Sequence, residues 1–218
     1  MFLQDIKQSI FHSFNARMSH KFANPPLLFT TRFSQVTLDQ NKKWTHKSGK
    51  KCLYWVRHPI KVLKDKKKIR NTRDLLIIEM NNTIDRINGV GLITKNNQVK
   101  QKERRDKIAQ EKDMAPQTSF FYDNPKLQGG ALYLGDDWIG RGDMKADDLL
   151  VVEIMEGLLF KGKGHCKRLT DITEFPPRFL DDIDFVKLFA RMFEEKREAE
   201  AEAAPAEAAP AEAAETEA

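Results

Sequence analysis

Two basic segments and one pair of spaced glycines are the stretches of this sequence whose residue types could do chemistry. Lys61, Lys64, Lys66, Lys67, Lys68, Arg70 and Arg73 follow one another with only Asp65 against them. Later, Phe160 to Arg168 reads Phe-Lys-Gly-Lys-Gly-His-Cys-Lys-Arg. There the glycines let backbone N–H groups point inward, and Lys161, Lys163, His165, Lys167 and Arg168 add positive charge. That combination suits a phosphate. It is not a nucleotide-binding P-loop, because the Gly-x-x-x-x-Gly-Lys-Ser/Thr spacing is missing. Both segments also read as solvated or structural loops, and that alternative stays open.

Gly89 and Gly91 stand two residues apart in a run that reads as a strand. Such spacing leaves one face bare, so another backbone, a base or a ring can come close. A tight barrel bend without a ligand is the alternative. Three tryptophans complete the inventory: Trp44, Trp55 and Trp138. Aromatic rings flanked by cations hold unstacked bases, and Trp44 and Trp138 are the candidates for that role. Core packing is the competing reading for each.

Catalytic chemistry finds little support. His165 and Cys166 are adjacent, and neighbours on an extended chain point opposite ways. No third group completes an activated nucleophile. The two cysteines, Cys52 and Cys166, form neither a disulfide framework nor a zinc spacing. Asp136, Asp137, Asp143, Asp147 and Asp148 cluster in sequence, but not in the ligand order of a calcium loop. No catalytic residue, metal ligand or cofactor is assigned.

The elements that must position these residues centre on Asp74 to Thr94. Leu75 to Met80 reads as a buried strand, Asn81 to Asp85 as a turn, and Ile87 to Ile93 as the returning strand. Leu27 to Phe33, Gln35 to Leu38 and Cys52 to Val56 also read as strands. Asn41 to Lys51 reads as a basic loop around Trp44. Ala131 to Leu134 and Trp138 to Ile139 read as a second hairpin. Lys145 to Phe160 is expected to be helical, capped by Asp147 or Asp148, with Leu150, Ile154 and Leu158 on one face. Leu180 to Arg197 is expected to be a helix with an apolar stripe of Phe185, Leu188, Phe189 and Met192. Phe2 to Phe14 has the spacing of a short amphipathic helix.

Three regions are expected: an N-terminal helical extension over 1–26, a main domain over 27–197 with a charged insertion at 95–117, and a tail over 198–218. The 218 residues carry a formal charge of +5. Seven glutamates and no Lys or Arg lie between Glu198 and Ala218, so Met1 to Arg197 stands at +12. A basic body points to a polyanion, most often nucleic acid. The tail repeats Ala-Glu-Ala-Ala-Pro, which cannot bury a core, and its prolines oppose a continuous helix. An acidic, disordered tail is expected. Cysteine usage fits a reducing compartment. No run approaches the roughly 20 apolar residues of a membrane span.

Several blocks resemble an uncharacterised protein family of nucleocytoplasmic large DNA viruses, the giant viruses. They are Thr30-Thr31-Arg32-Phe33, Asn41-Lys42-Lys43-Trp44, Glu79-Met80-Asn81-Asn82-Thr83, Gly89-Val90-Gly91-Leu92-Ile93, and Leu159 to His165 with Lys167-Arg168. The resemblance implies a viral protein of the host cytoplasm or the virion, and no activity. The hairpin with Gly-Val-Gly-Leu-Ile is also similar to the PUA-like barrels that include the EVE and YTH base readers. That likeness implies an α+β fold: a small mixed β-barrel with flanking helices and a pocket for a base.

The expected function is a non-enzymatic nucleic-acid-binding module, with RNA ahead of DNA as partner. Trp44, Lys66, Lys67, Lys68, Arg70, Arg73, Gly89, Gly91, Trp138, Lys161, Lys163, His165, Lys167 and Arg168 are its candidate contacts. The alternative is a structural or virion-associated protein that docks a viral or host partner through its N-terminal or C-terminal helix.

Overall fold

The structure, a computed structural model, describes residues 25–56, 73–94, 131–161, 165–167, 172–179 and 184–203. Within them the fold is α+β with a mixed sheet. The elements are β1 (Leu27–Phe33), α1 (Gln35–Ser48), β2 (Cys52–Val56), β3 (Leu75–Asn81), β4 (Arg86–Ile93), β5 (Ala131–Gly135), β6 (Asp137–Gly140), α2 (Ala146–Phe160), β7 (Thr173–Glu174) and α3 (Phe185–Ala203). Short 3₁₀ turns precede α2 at Arg141–Asp143 and α3 at Pro177–Phe179.

The main sheet has the order β6-β4-β3-β1-β7. Its centre is β3, parallel to β1 and antiparallel to β4. Every residue of β3 is buried, as expected for a strand covered on both faces. Alternation splits it between two cores. Leu76, Ile78 and Met80 face Val151, Val152, Met155 and Leu159 of α2 and Phe185, Leu188, Phe189 and Phe193 of α3. Leu75 and Ile77 face the opposite way, with Phe29 and Ile93, toward Cys52, Tyr54 and Tyr133 of the β2–β5 ribbon. The layers are therefore helices, sheet, and a two-stranded ribbon (β2 with β5). The described strands do not close into a barrel.

The hairpin expectation holds: β3 and β4 flank a turn at 82–85, in which Asp85 takes a left-handed φ of 54°. Other expectations change. Gln35 to Leu38 is not a strand, and Asn41 to Lys51 is not a loop. Both belong largely to α1. The helix starts because Ser34 and Thr37 form a capping box: the Thr37 N–H donates to Ser34 Oγ at 3.3 Å and the Ser34 N–H to Thr37 Oγ1 at 2.9 Å. It stops at Gly49, whose φ of 64° is the left-handed cap that glycine tolerates.

The second expected hairpin does not form. β5 pairs with β2 in the ribbon, whereas β6 pairs with β4 in the main sheet. The chain changes sheets between Gly135 and Asp137. A Cβ at Gly135 would stand 2.4 Å from both Cys52 Sγ and Leu92 O, so only glycine fits that corner.

In α2 the buried side is Val151, Val152, Met155, Leu159 and Phe160, and Leu150 is exposed. The helix is apolar on more than one side, so spacing alone did not select its buried stripe. Lys145, not an aspartate, holds the N-cap position, without a side-chain cap. Asp148 is instead buried and paired with Arg191.

The last helix keeps its expected stripe but starts later. It runs into the repeat as far as Ala203, because Ala and Glu are good helix formers and the first proline comes only at Pro205. Phe185 and Phe189 are fully buried against the sheet. That face of the C-terminal helix is core, and is not open to a partner. The N-terminal helix expected over Phe2 to Phe14 and the charged insertion at 95–117 lie outside the described residues. No helix among the described residues is long and apolar enough to cross a membrane.

Candidate nucleic-acid interface

The glycine pair is the best place to build a site, because the structure fills its bare face. Gly89 lies opposite Glu79 on β3 and opposite Gly140 on β6. A Cβ at Gly89 would stand 2.6 Å from Ile139 O and 2.7 Å from Trp138 Cζ2. One at Gly140 would meet the far edge of the same indole at 2.6 Å. The Trp138 ring thus covers both glycines. A Cβ at Gly91 would run into the Tyr54 hydroxyl and stand 2.7 Å from Cys52 Sγ. The rings admitted by Gly89 and Gly91 are the protein's own. The expectation that these glycines let a ligand approach is corrected accordingly: they set the distance for Trp138 and Tyr54.

Both rings reach one carboxylate. Glu79 is 4% exposed, inside the run Leu75 to Met80, which is otherwise apolar. Tyr54 Oη donates to Glu79 Oε1 at 2.9 Å, and Asn88 Nδ2 donates to Oε2 at 3.1 Å. The Trp138 side chain bonds the same carboxylate. Asn88 is available because the β3–β4 ladder carries a bulge. Glu79 pairs with Gly89 but Met80 with Ile87, which leaves Asn88 as the extra residue. The bulge turns Ile87 into the helix-side core and gives Asn88 to Glu79. Burial raises the Glu79 carboxyl above its ordinary value of 4.5, while Asn88, Tyr54, Trp138 and the Lys42 charge pull the other way. Burial likewise pushes the Tyr54 hydroxyl and the Cys52 thiol up. Neither is a nucleophile at neutral pH.

Asn41 of α1 bonds Leu53 of β2, whose Cys52 and Tyr54 pack in the same cluster as Trp138, so the basic helix lies on the ribbon side of the sheet, as Trp138 does. α1 is fastened at both ends. At its start, the Gln35 N–H donates to Thr83 Oγ1 and Asn81 Nδ2 to Gln35 Oε1, each at 2.9 Å. At its middle, Asn41 Nδ2 donates to Leu53 O at 2.5 Å, and just past its end the Lys51 N–H donates to Gly135 O at 3.1 Å. The helix therefore runs from the turn end of the β3–β4 hairpin back to the end where β3 begins. Lys42, Lys43, His46 and Lys51 are exposed. Lys43, His46 and Lys51 make no ion pair among the described residues, and from Gln40 to Lys51 there is no acid. Trp44 lies in this helix, not in a loop.

Arg73 and Lys167, described residues of the two basic segments, stand at opposite ends of the hairpin. Arg73 is half-buried just before β3, and the Leu27 N–H donates to Asp74 O beside it. Lys167 is at the other end, where its Nζ pairs with Asp85 at 2.5 Å and its carbonyl accepts from Asn82 Nδ2 at 3.0 Å. The length of β3 separates them by roughly 20 Å at ~3.3 Å per residue. Cys166 and Lys167 of the basic glycine loop are strapped onto β1 and the hairpin tip. Cys166 donates its N–H to Leu159 O at 2.7 Å, and its carbonyl accepts from Arg32 Nε. Arg32 also donates to Thr30 Oγ1 at 3.0 Å and Thr173 Oγ1 at 2.9 Å. His165 is half-buried and Lys161 is exposed at the end of α2. Lys66, Lys67, Lys68, Arg70, Lys163 and Arg168 lie outside the described residues, as does the side chain of Trp44.

What gathers near Arg73 is the end of α1. Leu76 pairs with Leu92 and Leu92 with Asp137, so the Asp136–Asp137 corner lies at the same end of the sheet as the start of β3. Lys50 pairs with Asp136, and Lys196 of α3 with Asp137. A cavity of about 300 Å³ lies beside this corner, between β6, the start of α2 and α3, bordered by Trp138, Met144, Lys145, Met192 and Lys196.

Sequence reasoning missed Glu79 and Tyr54 as the hub, and Lys42 and Lys43 as a helical basic face. One signal was present: a lone carboxylate inside Leu-Leu-Ile-Ile-Glu-Met. A buried charge needs partners, and Gly89 and Gly91 opposite it marked where rings would enter. No protein-family model matches this chain, and comparisons with curated proteins and with solved structures also return no match.

Proposed function

We propose that this protein is a non-enzymatic module that binds single-stranded nucleic acid, RNA ahead of DNA. Phosphates would lie on the exposed cations of α1, and a base on the open side of Trp138. The observation that carries the reading is the link through Glu79. Trp138 bonds this buried carboxylate, and Lys42 of α1, a helix whose one acid is Asp39, acts on it. A basic helix and a half-buried aromatic ring thus share one face of the sheet.

The chemistry is that of a stacking platform beside an electrostatic track. The Trp138 ring rests on Gly89 and Gly140, and its polar edge is bonded. It is held in place before any ligand arrives, which lowers the ordering cost of binding. Stacking is tolerant of sequence, because every base has a π-face, and is worth roughly 1–3 kcal/mol per base. RNA leads because its recognition centres on unstacked bases. Arg73 stands at the same end of the sheet as the α1 C-terminus, so it would extend the track. Lys161 and Lys167 stand at the far end and would be a separate contact.

A barrel-like, PUA-like closure belongs to the same proposal, with the β2–β5 ribbon as its closing side. Viral origin, and a place in the host cytoplasm or the virion, rest on the resemblance of the sequence blocks.

The test is intrinsic fluorescence. In a chain carrying Trp44→Phe and Trp55→Phe, a single-stranded RNA 20-mer at low salt is expected to quench Trp138 emission as it binds. Binding by anisotropy without quenching would remove Trp138 from the site. No binding to RNA or DNA at low salt would sink the function.

A further inference from the structure

The cavity beside the aspartate corner has walls of two kinds. One is apolar: Ile139 of β6, Met144 ahead of α2, and Met192 of α3, with Ala199 farther along α3. Methionine is flexible and polarizable, and it makes favourable contacts with aromatic rings. The other wall is charged, and its cations are already engaged. Lys145 pairs with Glu195 at 2.6 Å. Lys196 pairs with Asp137, donates to Trp138 O at 3.0 Å, and has Glu200 at 3.8 Å.

The carboxylates are not all engaged. Asp148 lines the cavity and is 3% exposed. Its Oδ1 accepts from Arg191 Nη2, while its Oδ2 accepts no hydrogen bond among the described residues. Asp143 lines the same cavity. Its Oδ2 accepts the Gly140 N–H at 3.1 Å, and it makes no ion pair among the described residues. With their ion-pair partners included, the charged groups of this wall are three cations and five carboxylates, a net charge of −2. Met1 to Arg197 as a whole stands at +12, so the cavity is an acidic spot in a basic body.

A volume of about 300 Å³ is at the small end of ligand sites, which are mostly apolar with a few placed polar groups. An anionic ligand would find each lining cation paired with a carboxylate, and the first turn of α2 already carries Asp147 and Asp148. A neutral apolar ligand would shut Asp148 Oδ2 away from water without a partner, which is costly. A primary ammonium on an apolar body suits both walls.

We infer that this cavity binds a small organic cation. Its ammonium donates to Asp148 Oδ2, with Asp143 adding negative charge, and its apolar body lies against Ile139, Met144 and Met192. This site does not rest on the nucleic-acid reading.

Three probes of one shape test it: a phenylethyl group carrying an ammonium, a hydroxyl or a carboxylate. Each is titrated into the full chain with isotope-labelled methionine methyl groups, and the Met144 and Met192 signals are followed by NMR. The ammonium is expected to shift both signals saturably and to bind about tenfold tighter than the alcohol, as a hydrogen bond to a charged group allows. The carboxylate should shift neither. Asp143→Asn, which leaves the Asp148–Arg191 pair in place, should weaken the ammonium severalfold and leave the alcohol unchanged. Ala199→Leu fills the cavity from an exposed helix position and should abolish the shifts. Equal affinity for ammonium and alcohol, tighter binding of the carboxylate, or no saturable shift with any probe at millimolar concentration would overturn the site. Ammonium shifts that survive Ala199→Leu would place the ligand elsewhere and overturn it too.

Discussion

The Trp138 ring occupies the volume that a side chain at Gly89 would need. A Cβ there would stand 2.7 Å from the indole and 2.6 Å from Ile139 O, which is backbone and cannot give way. Gly89→Ala should therefore displace Trp138 and strain β6, at a cost of about 1–3 kcal/mol. A urea melt should show a lower midpoint, and Trp138 emission should shift to the red. An unchanged melt would mean that the indole does not rest on Gly89.

Gly91 and Tyr54 form a second such pair, and they should be coupled. Gly91→Ala collides with the Tyr54 hydroxyl, so it should break the Tyr54–Glu79 bond. Tyr54→Phe removes both the hydroxyl and the bond. The double variant should be less unstable than the sum of the singles, with a coupling of roughly 0.5–3 kcal/mol. Strict additivity in a double-mutant cycle would contradict this packing.

Glu79 sets a pH dependence whose sign can be stated. Its folded value lies above 4.5 because of burial. Between the two values the folded state holds a proton that the unfolded state has released. The contribution is full below 4.5 and is lost as pH rises through the folded value. Glu79→Gln removes the titration. The stability of the unsubstituted chain should thus fall relative to Glu79→Gln as pH increases from 4.5, in chemical melts at each pH. A constant difference would show that Glu79 is not raised.

The position of α1 depends on its first turn. Ser34→Ala removes the capping-box acceptor and should lower stability by about 1 kcal/mol. Binding to RNA should weaken little once the protein is folded, because Asn41 and Lys51 still fasten the middle and the far end of the helix. Circular dichroism and anisotropy read the two effects separately.

The main strands were legible because they are apolar runs with clear ends. Leu27–Phe33 and Cys52–Val56 carry the expected bounds, and the Asn81–Asp85 turn stands between two strands as its Asn and Asp residues imply. Helix α1 was not legible from periodicity. It has only Val36, Leu38 and Trp44 as large apolar residues, and Val36 is exposed. Its evidence lay in Ser34, Thr37 and Gly49, which are caps and not a stripe. The Ala131–Ile139 segment was misread for a different reason. Strand pairing is decided by partners far away in sequence, here Cys52–Val56 for one strand and Gly89–Leu92 for the other. The glycine pair was recognised as unusual, but spacing could not say whose ring would come.

The most direct measurement is the salt dependence of RNA binding by the unsubstituted chain and by Lys42→Gln/Lys43→Gln. Each phosphate neutralised on a single strand contributes a slope of about −0.7 in log K against log salt. The unsubstituted chain should bind a single-stranded RNA 20-mer at 50 mM salt with a steep slope. The double variant should bind more weakly, with a slope shallower by about 1.4. An identical slope, or no affinity in either chain at 50 mM salt, would contradict nucleic-acid binding along α1.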